Sequence, residues 1–181
     1  IFAMLKYNHL ELYVEGFSFE YKSMPFVNKD GNFISVEEYQ QIEKYCYDRF
    51  IDLVPNQNGF GHMTEWLKLD EFKHLANVEG LFNIWGSNRS SSTLDPTNVE
   101  SFELVKKMYG DMLPYSSSKY FNMNFDEPYE LGYGKSKEAC DKTCREEVFV
   151  EFFNKLANVT KSYGKTPMLW GDVVIHKPDV I

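Results

Sequence analysis

Short, strongly apolar runs alternate with longer amphipathic segments along the chain. Four of the short runs are rich in Val, Ile, Leu, Tyr and Phe and end in polar or small residues, which is typical of strands buried on both faces. They span residues 9–16, 51–62, 119–128 and 166–174. We therefore predict four β-strands in these segments.

The segments between the strands carry apolar residues every three or four positions, which places these residues on one face of a helix. Three helices are predicted, over residues 35–50, 97–113 and 137–163. The first opens with Ser35, and Glu38 follows three residues later, which is the signature of a capping box.

The second helical segment repeats the design of the first. Thr97 is expected to cap this helix, with Glu100 completing the box. The predicted core face consists of Val99, Phe102, Val105, Tyr109 and Met112. Residues 64–93 exceed what a crossover connection needs, so we expect a long loop on the functional rim.

Strands and helices in this order predict an α/β fold, a parallel βαβ series with right-handed crossovers. No GxGxxG or GxxxxGK[ST] motif follows a predicted strand, which argues against a nucleotide-binding sheet. A (β/α)8 TIM barrel takes about 200 residues or more, and four strand units amount to about half of one. Since the chain lacks a starting methionine, we expect residues 1–181 to be one partial domain, truncated at both ends.

The charge and composition narrow the classes of partner. The formal net charge of -8 and the scattered basic residues argue against a nucleic-acid partner. No apolar run reaches membrane-spanning length, and the N-terminus lacks the pattern of a signal peptide. These observations predict no membrane partner and leave both a cytoplasmic and a secreted location open.

Cysteine usage predicts neither a disulfide framework nor a metal site. The chain has three cysteines, Cys46, Cys140 and Cys144, and an odd number does not suit a set of disulfides. Cys140 and Cys144 lie four apart in a predicted helix, and neither has a His or a second Cys at metal-ligand spacing. We expect three free thiols.

Polar and aromatic residues gather at the carboxyl ends of the predicted strands, where parallel α/β sheets carry their active groups. They are Glu15 after the first strand, Asn56, Gln57, Asn58 and His62 after the second, Asp126 and Glu127 after the third, and Trp170 and Asp172 after the fourth. Hydrogen-bonding side chains beside aromatic platforms suit a sugar, which has hydroxyls at its edge and apolar C–H faces.

The adjacent carboxylates of Asp126 and Glu127 are the strongest candidates for catalytic residues. Neighbours in a regular strand face opposite sides, so both can serve one pocket only where the strand ends and the backbone turns. Pro128 restricts Glu127 to extended conformations and cannot donate to a sheet ladder. We therefore predict that the strand stops here and presents a pair of catalytic acids.

Four motifs in order resemble the catalytic barrel of family 20 glycoside hydrolases, the β-N-acetylhexosaminidases. They are "IDLVPNQNGFGH", "LDPTNVESFELVKKMYGDMLP", "YFNMNFDEPYELG" and "PMLWGDVV". The resemblance covers nearly the whole chain. It implies hydrolysis of terminal N-acetyl-β-hexosaminides in an N-acetylhexosamine-containing glycan, by a retaining, substrate-assisted mechanism.

The resemblance also implies a role for each residue. Glu127 would protonate the glycosidic oxygen, and Asp126 would orient the 2-acetamido group, whose carbonyl is the nucleophile. His62 would support the acid through hydrogen bonds, and Trp170 would wall the acetamido pocket. Asp172, Asn58 and Glu15 are further candidates for substrate contact. No metal or organic cofactor is needed.

The chain also departs from the family pattern. The family has His-apolar-Gly-Gly before its Asp-Glu pair, where this chain has Asn122, Met123, Asn124 and Phe125, and we expect Phe125 to place bulk close to the site. The resemblance implies that the first barrel strand, with its sugar-binding Arg, and the later strands are absent. We therefore expect the isolated half-barrel to be inactive and its open sheet edges to favour self-association.

Alternative hypotheses remain at this stage. The protein could be a non-catalytic carbohydrate-binding or scaffold protein on a degenerate barrel, or a barrel glycosidase whose sugar lacks a 2-acetamido group. Among the residues, His62 could be structural, Trp170 could be core, and Asp172 could cap a loop. Trp66 and Trp85 lie outside the strand-end pattern and are predicted to be packing or loop anchors.

Overall fold

The computed structural model describes residues 1–176 and 178–180, so Lys177 and Ile181 of the predicted domain lie outside the described residues. The strands are β1 (His9–Glu11), β2 (Asp52–Val54), β3 (Leu81–Ile84), β4 (Ser87–Ser90), β5 (Tyr120–Asn122) and β6 (Thr166–Met168). The α-helices are α1 (Val36–Tyr47), α2 (Thr64–Leu67), α3 (Val99–Met112), α4 (Lys137–Lys142) and α5 (Arg145–Ser162). Short 3₁₀ turns span Phe2–Leu5, Pro25–Asn28, Lys73–Leu75, Leu113–Tyr115, Gly134–Ser136, Val174–His176 and Pro178–Val180.

The predicted parallel series is confirmed. Strand β1 pairs with β2, and β5 pairs with β6, both in parallel. The two pairs are joined where Asn122 N donates to Pro55 O at 3.0 Å and Gln57 N donates to Asn122 O at 3.0 Å. The spatial order is therefore β1-β2-β5-β6, with α1, α3 and α5 in the connections, which is part of an α/β barrel.

The observed strands end earlier than the predicted segments. Strands β2 and β5 stop at Val54 and Asn122, and the residues after them form loops. The apolar residues of these loops, such as Phe60 and Phe125, pack inward and are fully buried. Apolarity alone therefore could not mark the point where each strand ends, and that point is where the candidate site begins.

The capping box of α1 is confirmed, but the predicted cap of α3 was wrong. Ser35 Oγ accepts from Glu38 N at 3.1 Å, and Ser35 N donates back to Glu38 Oε2 at 2.9 Å. In α3 the cap is Asn98, whose Oδ1 accepts from Glu100 N at 2.9 Å.

Thr97 is held outside α3 by Asp95. The Thr97 backbone N and hydroxyl both donate to Asp95 Oδ1, at 2.9 and 2.6 Å, so the hydroxyl is used locally and not at the helix end. The core face rotates accordingly, and Val99 is 69% exposed. The buried apolar residues of α3 are Leu104, Val105, Met108, Tyr109 and Met112.

The third predicted helix is broken into two. Thr143 has φ −122° and ψ −101°, which is not helical, and α5 begins after it. Cys144 caps α5, with its Sγ accepting from Glu147 N at 3.4 Å. Cys140 and Cys144 therefore do not share a helix, and the three cysteines are not joined by disulfides.

Residues 64–93 are more ordered than the predicted loop. They contain α2 and an antiparallel hairpin in which Ile84 pairs with Ser87. Its two-residue turn has φ 49° at Trp85 and 81° at Gly86, as hairpin turns with two left-handed residues require. Because β4 consists of Ser87–Ser90, with no apolar residue, period-two patterning could not reveal this hairpin.

Aromatic packing fixes the helices to the sheet. Phe60 and Phe125 from the strand-end loops contact Phe152 of α5, with ring centroids 5.1 and 5.9 Å away. Trp66 is fully buried and donates its indole N–H to Gly16 O at 3.1 Å, which confirms it as a packing residue. Among the described residues, no helix is both long and apolar enough to cross a membrane.

Candidate active site

The loops that follow the four parallel strands converge on one edge of the sheet. His62 comes from the loop after β2, and the Asp126–Glu127 pair comes from the loop after β5. His62 Nε2 lies 3.3 Å from Asp126 Oδ2 and 3.3 Å from Glu127 Oε2. The imidazole thus bridges the two adjacent carboxylates.

The other face of His62 meets the loop after β1. Its Nδ1 lies 3.9 Å from Glu15 Oε2, and the Tyr13 ring packs edge-on against the imidazole, with centroids 6.3 Å apart. Tyr13 was not among the predicted site residues. It follows β1 without any motif, so its contact with His62 could be found only from the fold.

These contacts raise the pKa of His62. The close contact with Asp126 contributes most, and the negative charges of Glu15 and Glu127 add to it, while partial burial opposes the shift. The protonated imidazole is therefore stabilised in the folded protein. Burial raises the pKa of Tyr13, which lies beside Asn58, to about 12, so this phenol keeps its proton.

The side chains of Asp126 and Glu127 differ in solvent exposure, and Asp126 has a buried oxygen that accepts no hydrogen bond from the residues that the structure describes. The Asp126 side chain is 20% exposed and that of Glu127 is 46% exposed. Asp126 Oδ1 is buried and has no hydrogen-bond partner in the described part of the chain. The deeper carboxylate therefore keeps one acceptor available for a ligand, since leaving such an atom unpaired is unfavourable.

Asp172 contacts the pair from the loop after β6. Its Oδ2 accepts a hydrogen bond from Glu127 N at 3.1 Å. Asn58 is buried, and its Nδ2 faces Val14 O at 3.4 Å. The structure thus brings Asp172 and Glu15 to the site, whereas Asn58 is buried beside Tyr13.

Gly61 allows the two central loops to touch. A Cβ atom at this position would lie 2.3 Å from Asp126 O, which no side chain could occupy without moving the backbone. The next residue, His62, has φ 56°, a left-handed conformation. The close approach of Gly61 to Asp126 is therefore part of what brings the imidazole into contact with both carboxylates.

The backbone after β5 is left-handed at three of the four residues that precede Pro128. The φ angles are 61° at Asn124, 64° at Phe125 and 50° at Glu127, so the expectation that Pro128 holds Glu127 in an extended conformation was wrong. Asn tolerates this region better than most residues, whereas Phe does so poorly. Glycines at Asn124 and Phe125, as in the family pattern, would adopt it without strain.

Phe125 does not place bulk at the site, contrary to the expectation. It is fully buried among Phe60, Phe149, Phe152 and Phe153, with ring centroids between 5.4 and 5.9 Å away. The left-handed backbone turns its side chain away from the carboxylates and toward α5. Its burial offsets the backbone strain.

The amide of Asn124 holds Trp170. Trp170 Nε1 donates to Asn124 Oδ1 at 2.9 Å, and the two backbones are joined by Trp170 N donating to Asn124 O at 2.9 Å. Asn124 also exchanges hydrogen bonds with the amide of Asn56, at 3.0 and 2.8 Å. The indole is therefore fixed in orientation while 46% of Trp170 stays exposed.

Glu11 completes this network beneath the rim. Its Oε2 accepts from Asn56 Nδ2 and from Asn122 Nδ2, each at 2.8 Å. Glu11 was not predicted, because its amide partners come from the loop after β2 and from the end of β5. It acts on the site through the two asparagines that surround Asn124.

A cleft of 330 Å³ opens beside Glu127. Its lining includes Glu15, His62, Glu127 and Tyr129, and also residues of the hairpin. Partial burial, together with the hydrogen bond to Glu127 and its charge, raises the pKa of Tyr129 to about 12. Among the described residues, no group of three or more His, Cys, Asp or Glu side chains is arranged to hold a metal ion.

Asp126→Asn is expected to lower the pKa of His62, because Asp126 is its main source of stabilisation. In the wild type the folded-state pKa lies above the unfolded value, so the stabilisation is complete below about pH 6.5 and is lost as the pH rises through the folded-state pKa. NMR titration of the imidazole tests this. Glu15→Gln, which removes the more distant carboxylate, should give a smaller shift, and an unchanged pKa in Asp126→Asn would contradict the assignment.

The variants Asn124→Gly and Asn124→Ala separate the contribution of the side-chain hydrogen bonds of Asn124 from that of its left-handed backbone conformation. Both remove the acceptor of the Trp170 indole N–H, while Asn56 keeps Glu11 and Val14 as partners, so we expect a cost of about 1–3 kcal/mol in the free energy of unfolding. Alanine should cost about 1–2 kcal/mol more than glycine, because it must also adopt the left-handed conformation. Urea denaturation measures both, and equal losses in the two variants would argue against strain at this position.

Comparison with known proteins identifies the family of the chain. The family model described as the catalytic domain of glycosyl hydrolase family 20 matches residues 1–180. The chain is similar to lacto-N-biosidase of Bifidobacterium bifidum, at 25% identity over 154 residues, which covers 80% of this chain and 13% of that protein. Hexosaminidase D of Homo sapiens is 26% identical over 135 residues, covering 71% of this chain and 26% of that protein.

Solved structures share the fold. An exo-β-N-acetylglucosaminidase of Vibrio harveyi in complex with N-acetylglucosamine superposes with a TM-score of 0.80 at 17% identity, covering 99% of this chain and 33% of that one. A chitobiase of Flavobacterium johnsoniae gives a TM-score of 0.78 at 24% identity, covering 95% of this chain and 28% of that one. The chain thus spans a third or less of these relatives, and it belongs to glycosyl hydrolase family 20.

Proposed function

We propose that the protein carrying this chain hydrolyses terminal N-acetyl-β-hexosaminide linkages by a retaining mechanism in which the substrate's 2-acetamido group is the nucleophile. The observation that carries the proposal is the unequal environment of the adjacent carboxylates. Asp126 is deep and keeps an unpaired buried oxygen, while Glu127 faces the cleft. One carboxylate is suited to hold a ligand group, and the other to exchange a proton with it.

Glu127 is the proposed general acid. Its carboxyl group lines the open cleft, and its backbone N–H is held by Asp172, so the side chain is positioned from the loop after β6. In the first step it gives its proton to the glycosidic oxygen as the bond from that oxygen to C1 breaks. In the second step it takes a proton from the water that attacks C1.

Asp126 is the proposed partner of the acetamide. Its unpaired Oδ1 accepts the acetamide N–H, which aims the carbonyl oxygen at C1. As that oxygen bonds to C1, an oxazolinium ion forms and positive charge develops on nitrogen, beside the carboxylate. The His62 contact engages Oδ2 of Asp126 and leaves Oδ1 for the substrate.

Trp170 is the proposed wall of the acetamide pocket. Its exposed indole surface offers an apolar contact for the acetamide methyl group, and Asn124 prevents the ring from rotating. The hydrogen bond from Glu127 N supports a positioning role for Asp172. Glu15 is proposed to act through His62, which it contacts more loosely than Asp126 does.

The activity is proposed for a complete barrel. The chain covers between 13% and 33% of the lengths of lacto-N-biosidase, the chitobiase and the exo-β-N-acetylglucosaminidase. In the observed sheet β1 and β6 are edge strands, and Trp170 has one face open. We propose that this chain alone does not turn over substrate, because the other walls of the sugar pocket come from further strands.

Neither alternative class is favoured by a specific observation. A non-catalytic binding protein was suggested by Phe125, but that ring is buried away from the carboxylates. The unpaired oxygen of Asp126 can accept from a sugar hydroxyl as well as from an amide N–H, so it does not favour a glycosidase for sugars without the 2-acetamido group. The family membership favours the hexosaminidase.

Glu127→Gln is expected to lower kcat about 10²- to 10⁴-fold on N-acetyl-β-glucosaminides with poor leaving groups, because these need protonation. On an aryl glycoside with a strongly acidic phenol the loss in the bond-breaking step should be much smaller. Steady-state and pre-steady-state kinetics on a leaving-group series measure the difference. Asp126→Asn is the matched isosteric control, and it should slow all acetamido substrates alike.

Two outcomes would count against these assignments. If Glu127→Gln leaves the rate on poor leaving groups unchanged, Glu127 is not the acid. If the wild-type protein binds N-acetylhexosaminides but hydrolyses none, the binding-protein hypothesis replaces the enzyme.

A further inference from the structure

The β3–β4 hairpin borders the site on one particular side. The cleft of 330 Å³ is lined by Glu127 and by the hairpin residues Ile84, Arg89 and Ser90, but not by Asp126 or Trp170. Under the proposed function, Glu127 donates to the glycosidic oxygen and Asp126 holds the acetamide of the sugar being released. The cleft therefore lies on the side of the leaving group.

The hairpin is anchored to the loop that carries the acid. Glu130, three residues after Glu127, is fully buried. It accepts hydrogen bonds from Ser91 Oγ at 2.5 Å and from Ser92 N at 2.6 Å, directly after β4. Hydrogen bonds to a buried carboxylate are strong and costly to break, so the hairpin and Glu127 keep a defined separation.

An aromatic surface lies beside the acid. Trp85, at the hairpin turn, is 77% exposed, and its ring meets that of Tyr129 edge-on with centroids 5.0 Å apart. Tyr129 in turn lines the same cleft as Glu127. A large apolar ring held in the open by a left-handed turn is available to pack against the C–H face of a sugar.

Arg89 supplies a cation without a counter-ion. Its guanidinium lines the cleft and makes no hydrogen bond or ion pair with the residues that the structure describes, although Glu15 and Glu127 line the same cleft. Lys68, also at the cleft, is engaged by Glu65, with Nζ 2.5 Å from Oε1. Arg89 is thus the cleft cation that is open to a ligand, and its planar fork fits a carboxylate or a sulfate.

We propose that the hairpin forms a leaving-group subsite for a sugar that carries an acidic substituent, a carboxylate or a sulfate. Trp85 and Tyr129 pack on the sugar ring, and Arg89 binds the anion. This subsite rests on the proposed function for its place in the reaction. It makes the protein selective for N-acetylhexosamine residues that are linked to an acidic sugar.

The kinetic test compares four substrates: an aryl N-acetyl-β-glucosaminide, and disaccharides in which N-acetylglucosamine is β-linked to glucose, to glucuronic acid or to a sulfated glucose. The wild type should prefer the acidic disaccharides to the neutral one. In Arg89→Gln the ratio of kcat/KM on acidic to neutral disaccharides should fall about 10- to 100-fold, as expected for a charge-assisted bidentate contact. Trp85→Ala should lower kcat/KM on all three disaccharides relative to the aryl glycoside.

The controls distinguish the anion site from general electrostatics. Arg49→Gln removes a guanidinium beside Tyr45, just before β2 and away from the cleft, and should leave the ratio unchanged. Arg89→Lys keeps the charge but not the fork, and should retain part of the preference. The glucuronate and sulfate arms decide which anion is the better ligand.

A binding readout separates failure of the subsite from failure of the proposed function. Tryptophan fluorescence is titrated with free glucuronic acid, glucose 6-sulfate and glucose at millimolar concentrations, in the wild type and in Arg89→Gln. Saturable binding of an acidic sugar that Arg89→Gln abolishes supports the subsite even if no substrate is hydrolysed. Equal responses to acidic and neutral sugars, or an unchanged kinetic ratio in Arg89→Gln, would overturn it.

Discussion

The left-handed backbone after β5 is the constraint on which the site depends. Two adjacent carboxylates in a strand would face opposite sides of the sheet. The positive φ angles at Asn124, Phe125 and Glu127 turn the chain so that Asp126 and Glu127 both reach His62. Each left-handed residue other than glycine costs about 1–2 kcal/mol, so such a turn persists only with compensation.

The compensation differs at the two positions where the family pattern has glycine. The Asn124 amide joins Asn56 and Trp170, and Phe125 fills an aromatic cluster against α5. The side chains of Asn124 and Phe125 therefore do not obstruct the pocket, and their contacts stabilise the loop that carries Asp126 and Glu127. The same loop is pressed against Gly61, which has no room for a Cβ atom, so the loops after β2 and β5 act as one unit.

Sequence patterns predicted the parallel βαβ series, the α1 capping box and the polar residues at the carboxyl ends of the strands. Apolar runs and capping residues are local signals, and they can therefore be found in the sequence alone. The cap of α3 was wrong because Asp95 competes for Thr97, and the helix after β5 breaks at Thr143 without a proline or glycine. The hairpin was missed because β4 has no apolar residue, and Tyr13 was missed because it meets His62 only through the contact between two loops. The direction of Phe125 depends on its φ angle, which composition does not reveal.

The division of labour between Asp126 and Glu127 is tested most directly by varying the substrate's nucleophile. Successive fluorination of the N-acetyl methyl group in an aryl N-acetyl-β-glucosaminide weakens the carbonyl oxygen without altering the leaving group. If that oxygen attacks C1 with Asp126 as its partner, kcat/KM falls steeply and progressively along the series in the wild type, and the dependence changes in Asp126→Asn. Rates that do not vary with fluorination, or equal rates on glucosides without the 2-acetamido group, would contradict the account.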